Sequence, residues 1–329
     1  MFELPVRLGL TSLWRVIDCS SVPVLLLHGI LPDADTSPFN STGKFITPQK
    51  LRSFLERVSR LFSVIPLEAL VASHLSGKRL RNAMVLTFDD GYRNTYRYAF
   101  PLLQDMGLPF AVFVTTGFID TDMVLWNDRL EFALFSTPER VLPGGILARD
   151  VRLETNDQRR LAVRELKEVL KQKPRDEAAK IVESLCVALG TDFGASQFDD
   201  VRFLKSTEIS EMAAAGVTIG GHSVTHAVLS RESPERVRQE VLECKRTLEG
   251  ITGKVVTSFA YPNGRREDFS ASVKRELVAA GYSAAFTTVH GLDRPQDDPF
   301  EIRRISLDNK WTYAEFETRA SGILKTLRR

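Results

Sequence analysis

The sequence predicts an α/β protein in which about seven parallel strands close into a barrel, interrupted once by a helical insertion. Three observations lead there. Short apolar runs alternate with amphipathic helical patterns, which argues for parallel strands joined by right-handed crossovers. Several of these runs end in polar residues, at His28, Asp89-Asp90, His222 and Tyr261-Pro262-Asn263. In a barrel, such strand ends converge on one face. The third is a break in the alternation: residues 120–205 read as charged helices.

Val22–Leu27 is the first expected strand. A loop rich in Pro, Asp, Ser and Thr follows over 31–46. Thr47 is a good N-cap with Pro48 in the first helical position. Leu51, Phe54, Leu55, Val58, Leu61 and Phe62 then recur at helical spacing and give one apolar face. A second short helix is expected over about 67–75, a strand over 83–88, a helix over 94–106 closed by Gly107, and a strand over 110–115. The insertion, 120–205, carries one apolar face from Leu161 to Leu170. Another runs through Ala178, Ile181, Val182, Leu185, Ala188 and Leu189. It reads as a lid or packing layer within a single domain spanning 1–329. Ser206 is placed to cap a helix ending at Gly216, and Val217–Gly221 leads to His222. Ser233-Pro234 opens a helix striped by Val237, Val241, Cys244 and Leu248, ended by Gly250 or Gly253. Strands follow over 258–261, 283–287 and 302–305. No G-x-G-x-x-G follows a strand, so a dinucleotide site is not indicated.

The 329 residues are 43% hydrophobic, enough for a sizeable core. Lysine plus arginine number 44 against 42 acids, a net charge of +2 that gives no reason to expect nucleic acid as a partner. Three cysteines, odd in number and far apart, argue against a disulfide framework; Cys186 and Cys244 fall on apolar helix faces as buried thiols. The N-terminal residues lack a clear secretion signal, and no run reaches the about 18 apolar residues of a membrane span. The expectation is a cytoplasmic protein in which residues 5–16 form a docked helix, with peripheral membrane association as the alternative.

The chemistry concentrates in "TFDDGY" (87–92) and "HSVTH" (222–226). Adjacent Asp89 and Asp90 point to opposite faces if the strand simply continues. His222 and His226, four residues apart, share a face if that turn is helical. Two imidazoles and one carboxylate suit a divalent transition metal, zinc above all, with positions left for water. One aspartate can then bind the metal while its neighbour takes a proton from the attacking water. Gly91 lets the chain turn sharply. Ser223 could orient the turn or a ligand. Phosphoryl transfer on an aspartate would want Asp-x-Asp, which is absent.

"TFDDGY", "HSVTH" and "FAYPNG" (259–264), in that order, resemble the polysaccharide deacetylases, carbohydrate esterase family four with the NodB-homology domain. The resemblance covers about 22–118 and 206–306. It implies a distorted (β/α) barrel, usually of seven strands, and metal-dependent hydrolysis of N-acetyl groups, sometimes O-acetyl or N-formyl, on sugars. It implies Asp89 as general base and Asp90, His222 and His226 as metal ligands. The backbone N–H at Asn263 would stabilise the oxyanion, with Tyr261 and Pro262 shaping the same loop. Zn2+ is the expected ion, with Co2+, Ni2+, Mn2+ or Fe2+ as alternatives. The chain departs from the pattern twice. The arginine that usually orients the base is replaced by Ala260, with Arg303 or Arg304 as substitutes. The usual C-terminal Leu-x-His is absent, while Leu26-Leu27-His28 supplies it on the first strand, as in the permuted poly-N-acetylglucosamine deacetylases; His28 is thereby the expected general acid. His290 is left as a rim residue. The expected partner is an N-acetylated sugar or lipid-linked saccharide, in exopolysaccharide or lipopolysaccharide assembly. A deformylase or amide hydrolase of a small substrate, and a non-catalytic carbohydrate-binding barrel kept open by Ala260, are the competing readings.

Overall fold

The apolar runs 22–27, 83–88 and 110–115 are buried along their whole length, as parallel strands covered on both faces must be. A computed structural model describes residues 21–191, 198–199 and 201–322. The expected helix over 5–16, and Cys19, lie outside the described residues. Seven parallel strands form a closed barrel: β1 (Val24–Leu27), β2 (Ala83–Phe88), β3 (Ala111–Val114), β4 (Thr218–Gly221), β5 (Ser258–Ala260), β6 (Ala284–His290) and β7 (Ile302–Ser306). Neighbours run in chain order from β2 to β7. β1 closes the ring, pairing with β7 (Leu25 opposite Ile305) and with β2 (Leu27 opposite Phe88). The first strand therefore sits beside the last.

Alternate side chains fill the barrel. Val24, Val85, Phe113, Ala260, Phe286 and Ile302 make one buried cluster, with the Phe113 and Phe286 rings 5.1 Å apart. The outer faces pack against the helices through a larger cluster that includes Leu25, Leu86, Val112 and Phe259. Helices α1 (Pro48–Val58) and α2 (Leu67–Ser76) follow β1, and α1 is capped by Thr47, whose hydroxyl accepts the Lys50 N–H. The helix expected over 94–106 begins as a π-helical turn, Thr95–Ala99, before α3 (Phe100–Asp105). Pro101 has no N–H and crowds the preceding carbonyls, which opens the ladder there.

The insertion lies between β3 and β4. It contains α4 (Trp126–Ser136), α5 (Asn156–Leu170), α6 (Arg175–Ala188) and a two-stranded hairpin (Val141–Leu142 with Val151–Arg152). Its own apolar cluster joins Leu130, Leu134, Val163, Leu166, Val182 and Cys186. Leu161 is 46% exposed, so the buried face of α5 begins at Ala162 instead. The barrel resumes with α7 (Ser206–Ala214). Here Lys205, not Ser206, holds the N-cap position; the Lys205 N–H is taken by Glu208 at 3.0 Å and the Ser206 N–H by Asp120 at 3.1 Å. Two carboxylates close that end, so no hydroxyl cap is needed. Helices α8 (Pro234–Thr252, ended by left-handed Gly253), α9 (Ala271–Ala279) and α10 (Tyr313–Ala320) complete the layer. Among the described residues no helix is long and apolar enough to cross a membrane.

Candidate metal and hydrolytic site

β2 ends at Phe88, and the chain then turns through two left-handed residues, Asp90 (φ +72°) and Gly91 (φ +83°). A Cβ on Gly91 would lie 3.0 Å from Val114 Cγ1 and 3.2 Å from its Cα. Only glycine fits both the conformation and the space. The turn separates the two carboxylates. Asp89, still in strand register with its N–H on the Leu27 carbonyl, faces the barrel interior, and Asp90 faces the histidines.

The segment 222–226 is not helical. Ser223 (φ +62°) and His226 (φ +59°) are both left-handed, and the Ser223 hydroxyl accepts the His226 N–H at 2.9 Å. This compact turn still brings the two imidazoles together, ring centroids 5.1 Å apart. Asp90 Oδ1 lies 3.2 Å from Nε2 of each. The His222 Nδ1 hydrogen bonds to the Ala260 carbonyl at 2.7 Å, so its proton belongs on Nδ1 and its Nε2 is left to face Asp90. Asp90, His222 and His226 are all buried, and one donor atom from each lies within 4.8 Å of the others. Burial alone would raise the Asp90 pKa. The imidazoles of His222 and His226 outweigh it and hold the carboxyl well below the usual range. An ionised carboxylate beside two imidazole nitrogens fits a divalent cation with coordination positions left open.

Of the two candidate arginines, Arg304 reaches Asp89. It enters from β7, fully buried, and grips Asp89 with both terminal nitrogens, Nη1 to Oδ1 at 2.7 Å and Nη2 to Oδ2 at 2.6 Å. Its Nε donates to the Thr287 carbonyl at 2.8 Å, and its guanidinium lies over the Phe113 ring. Arg303 plays no part in this fork. A bidentate guanidinium held at a third point fixes the carboxylate plane.

His28 follows β1 at the same end of the barrel, half-buried. Its ring has no hydrogen-bond partner among the described residues. Burial pushes its pKa down; Asp90 and Asp89 oppose that, and Lys44 and Arg304 add to it. Tyr261 is core: its ring stacks on Phe269 at 4.3 Å and its hydroxyl donates to the Phe300 carbonyl. Pro262 and left-handed Asn263 (φ +61°) form the turn above it, pinned by Thr288, whose hydroxyl donates to the Asn263 carbonyl at 2.6 Å. The Asn263 N–H has no acceptor among the described residues. His290 lies apart, against Arg319 and Trp311.

A family model described as polysaccharide deacetylase matches residues 76–285. The chain belongs to the polysaccharide deacetylase family. This is a family of amide-bond hydrolases that is generally metal-dependent. The putative polysaccharide deacetylase YxkH of Bacillus subtilis (strain 168) is 22% identical over 102 residues, 31% of this chain and 36% of YxkH. That match thus spans little more than a third of the curated relative's length. Among solved structures, the Streptococcus pyogenes deacetylase PplD in complex with acetate superposes with a TM-score of 0.60 at 15% identity, covering 91% of this chain and 98% of that one. IcaB from Ammonifex degensii gives 0.60 at 17%, covering 92% and 97%. At such identities the likeness is one of fold.

Within this deacetylase barrel, two supports were missed in the sequence. Glu240 of α8 is buried and accepts the Val224 and Thr225 N–H groups, each at 2.8 Å, and the Thr225 hydroxyl at 2.7 Å. It shapes the histidine turn from fourteen residues past its end, and no local pattern signals that. The other is a charged layer between barrel and insertion. Lys44 pairs with Asp128 of α4 and approaches the Tyr92 hydroxyl at 3.2 Å, while Tyr92 donates to Asp128 at 2.7 Å. Glu131, one turn on, takes Lys167 of α5 at 3.0 Å and also Ser41. Lys44 and Asp128 are 84 residues apart, and neither stands out in the sequence.

Proposed function

We propose that the protein removes an N-acetyl group, or a related acyl group, from a sugar by metal-dependent hydrolysis, in the assembly of an exopolysaccharide or lipopolysaccharide. The observation that carries this reading is the division between the two adjacent aspartates: Asp90 grouped with His222 and His226, Asp89 gripped by Arg304. A binding module has no use for both arrangements. The non-catalytic reading rested on Ala260, and the hold of Arg304 on Asp89 weighs against it.

Asp90, His222 and His226 would hold the ion. When bound, a divalent ion supplies Lewis-acid polarisation and makes water more acidic. Asp89 takes a proton from the attacking water, its oxygens aimed by Arg304. The free Asn263 N–H donates to the acyl oxygen as negative charge develops there. His28 gives a proton to the departing nitrogen. Its lowered pKa leaves the resting imidazole neutral, so it must first collect that proton, and the charges of Asp89 and Asp90 favour its doing so. The closed β1–β7 pairing supports this role for a histidine on the first strand.

The test is acetate and formate release from a panel of N-acylated sugars with added Zn2+, Co2+ or Mn2+. Acetate release from N-acetylated sugars is expected. Release confined to formate, or to small cyclic amides, would move the assignment to a deformylase or amide hydrolase. No release from any substrate, with the metal bound, would contradict hydrolysis.

A further inference from the structure

With no side-chain bond to orient it, the His28 ring takes its place from the backbone that carries it. That backbone is held on both sides by one short segment, 89–94. In the β1–β2 register Leu27 lies opposite Phe88, which puts His28 beside Asp89. The Leu27 carbonyl accepts the Asp89 N–H at 2.9 Å. On the far side of His28, the Ile30 N–H donates to Asn94 Oδ1 at 3.2 Å, across 64 residues of chain. Asn94 is 2% exposed and opens the π-helical turn that follows the two aspartates. It also packs on Gly29. A Cβ there would run into Asn94 Oδ1, with Cγ and Nδ2 at 2.9 and 3.1 Å. Gly29 lies in a short strand with Ile30, paired to Phe45–Ile46, where the backbone suits any residue. Space for the Asn94 amide, not conformation, therefore calls for glycine beside His28.

We propose that Asn94 is the positioning residue for His28: by holding Gly29–Ile30 it sets the imidazole against the turn that carries Asp89 and Asp90. This rests on the deacylation reading above, with His28 as the acid. A side-chain amide bonded to the backbone two residues away does the orienting that a carboxylate bonded to the ring does in other sites. The acid is thereby tied to the same stretch of chain as the base. Proton delivery needs hydrogen-bond reach to the departing nitrogen, and a displacement of about 1 Å costs about 100-fold in rate. The proton leaves the imidazolium for that nitrogen as the C–N bond breaks, so slack in the Gly29–Ile30 segment harms this step and not the attack of water.

The experiment compares two substrates with the metal-loaded protein. An N-acetylated glucosamine oligomer needs a proton on its leaving nitrogen, whereas 4-nitrophenyl acetate releases its phenolate without one. Asn94→Ala should lower kcat on the amide about 10- to 100-fold, with a far smaller loss on the aryl ester and metal affinity within about twofold of wild type. His28→Gln should show the same selectivity with a larger loss. Gly29→Ala should reach the link from its other partner and carries the same comparison where Asn94→Ala fails to fold. Added to Asn94→Ala, Gly29→Ala should cost little more, because its obstacle is gone. Equal losses on the two substrates, a loss of metal with the loss of rate, or fully additive effects of Asn94→Ala and Gly29→Ala would overturn the positioning role and leave the deacylase reading intact. No amide hydrolysis by the wild type would contradict that reading instead. The imidazole NMR signals of the five histidines, with His28 assigned through His28→Gln, then decide the positioning role. The His28 signal should move in Asn94→Ala while that of His74, at the other end of the barrel, stays in place; an unmoved His28 signal rejects the proposal.

Discussion

Two buried ion pairs lie at the same end of the molecule, and they are built differently. Asp89–Arg304 joins β2 to β7 inside the barrel, and both partners come from the strands themselves. Lys44–Asp128 joins the loop after β1 to α4 of the insertion and shares its charges with Tyr92; Glu131 and Lys167 form a second pair one turn further on. The first pair fixes the plane of the Asp89 carboxylate. The second fastens one layer to another. The residues proposed for hydrolysis therefore all come from the barrel, and the insertion packs against it.

Breaking each pair should separate these roles. Arg304→Met leaves the Asp89 carboxylate buried and unpaired, which should cost about 3–5 kcal/mol of stability. It should also lower kcat about 100-fold or more through loss of orientation. Asp128→Asn should cost comparable stability by stranding Lys44, yet keep kcat within about tenfold. Chemical denaturation and initial rates measure both, and an equal loss of kcat in the two variants would erase the distinction.

Glu240→Gln sharpens the comparison from outside the site. It touches no expected ligand; it holds the turn that presents His222 and His226 and also pairs with Arg236 at 3.0 Å. Metal affinity should fall about 10- to 100-fold, measured by competition with a chelating dye, with the fold retained.

Another buried pair, at the other end of the barrel, links His74 of α2 to Asp293 at 2.7 Å. Burial would lower the His74 pKa, but the hydrogen bond and charge of Asp293 raise it above its ordinary 6.5. Its stabilisation is therefore complete below 6.5 and is lost as pH rises through the raised value. The stability gap between wild type and His74→Gln should narrow as pH rises above 6.5 and through the raised value. This is the smallest effect, and turnover at a fixed pH should not follow it.

The parts legible in the sequence were those with local signatures. The strands showed as apolar runs because both faces are covered. Asp89-Asp90-Gly91 and the His222/His226 pair showed because each ligand set is compact in the chain. The conformation of the histidine turn was not legible: the i, i+4 spacing suggested a helix, and two left-handed residues did the work instead. Arg304 was visible only as one of two candidates, since choosing between Arg303 and Arg304 depends on which faces the barrel interior. Glu240, Asp128 and Glu131 act across 15 to 90 residues of chain, and distances of that kind leave no local pattern.

The central claim is that the adjacent aspartates have separate tasks, and metal stoichiometry measured together with acetate release tests it. Wild type should bind one divalent ion per chain. Asp89→Asn should bind the same ion and lose about 10²- to 10⁴-fold in turnover, while Asp90→Asn should lose the ion itself. Metal retained by Asp90→Asn but lost from Asp89→Asn, or full turnover by Asp89→Asn, would contradict the account.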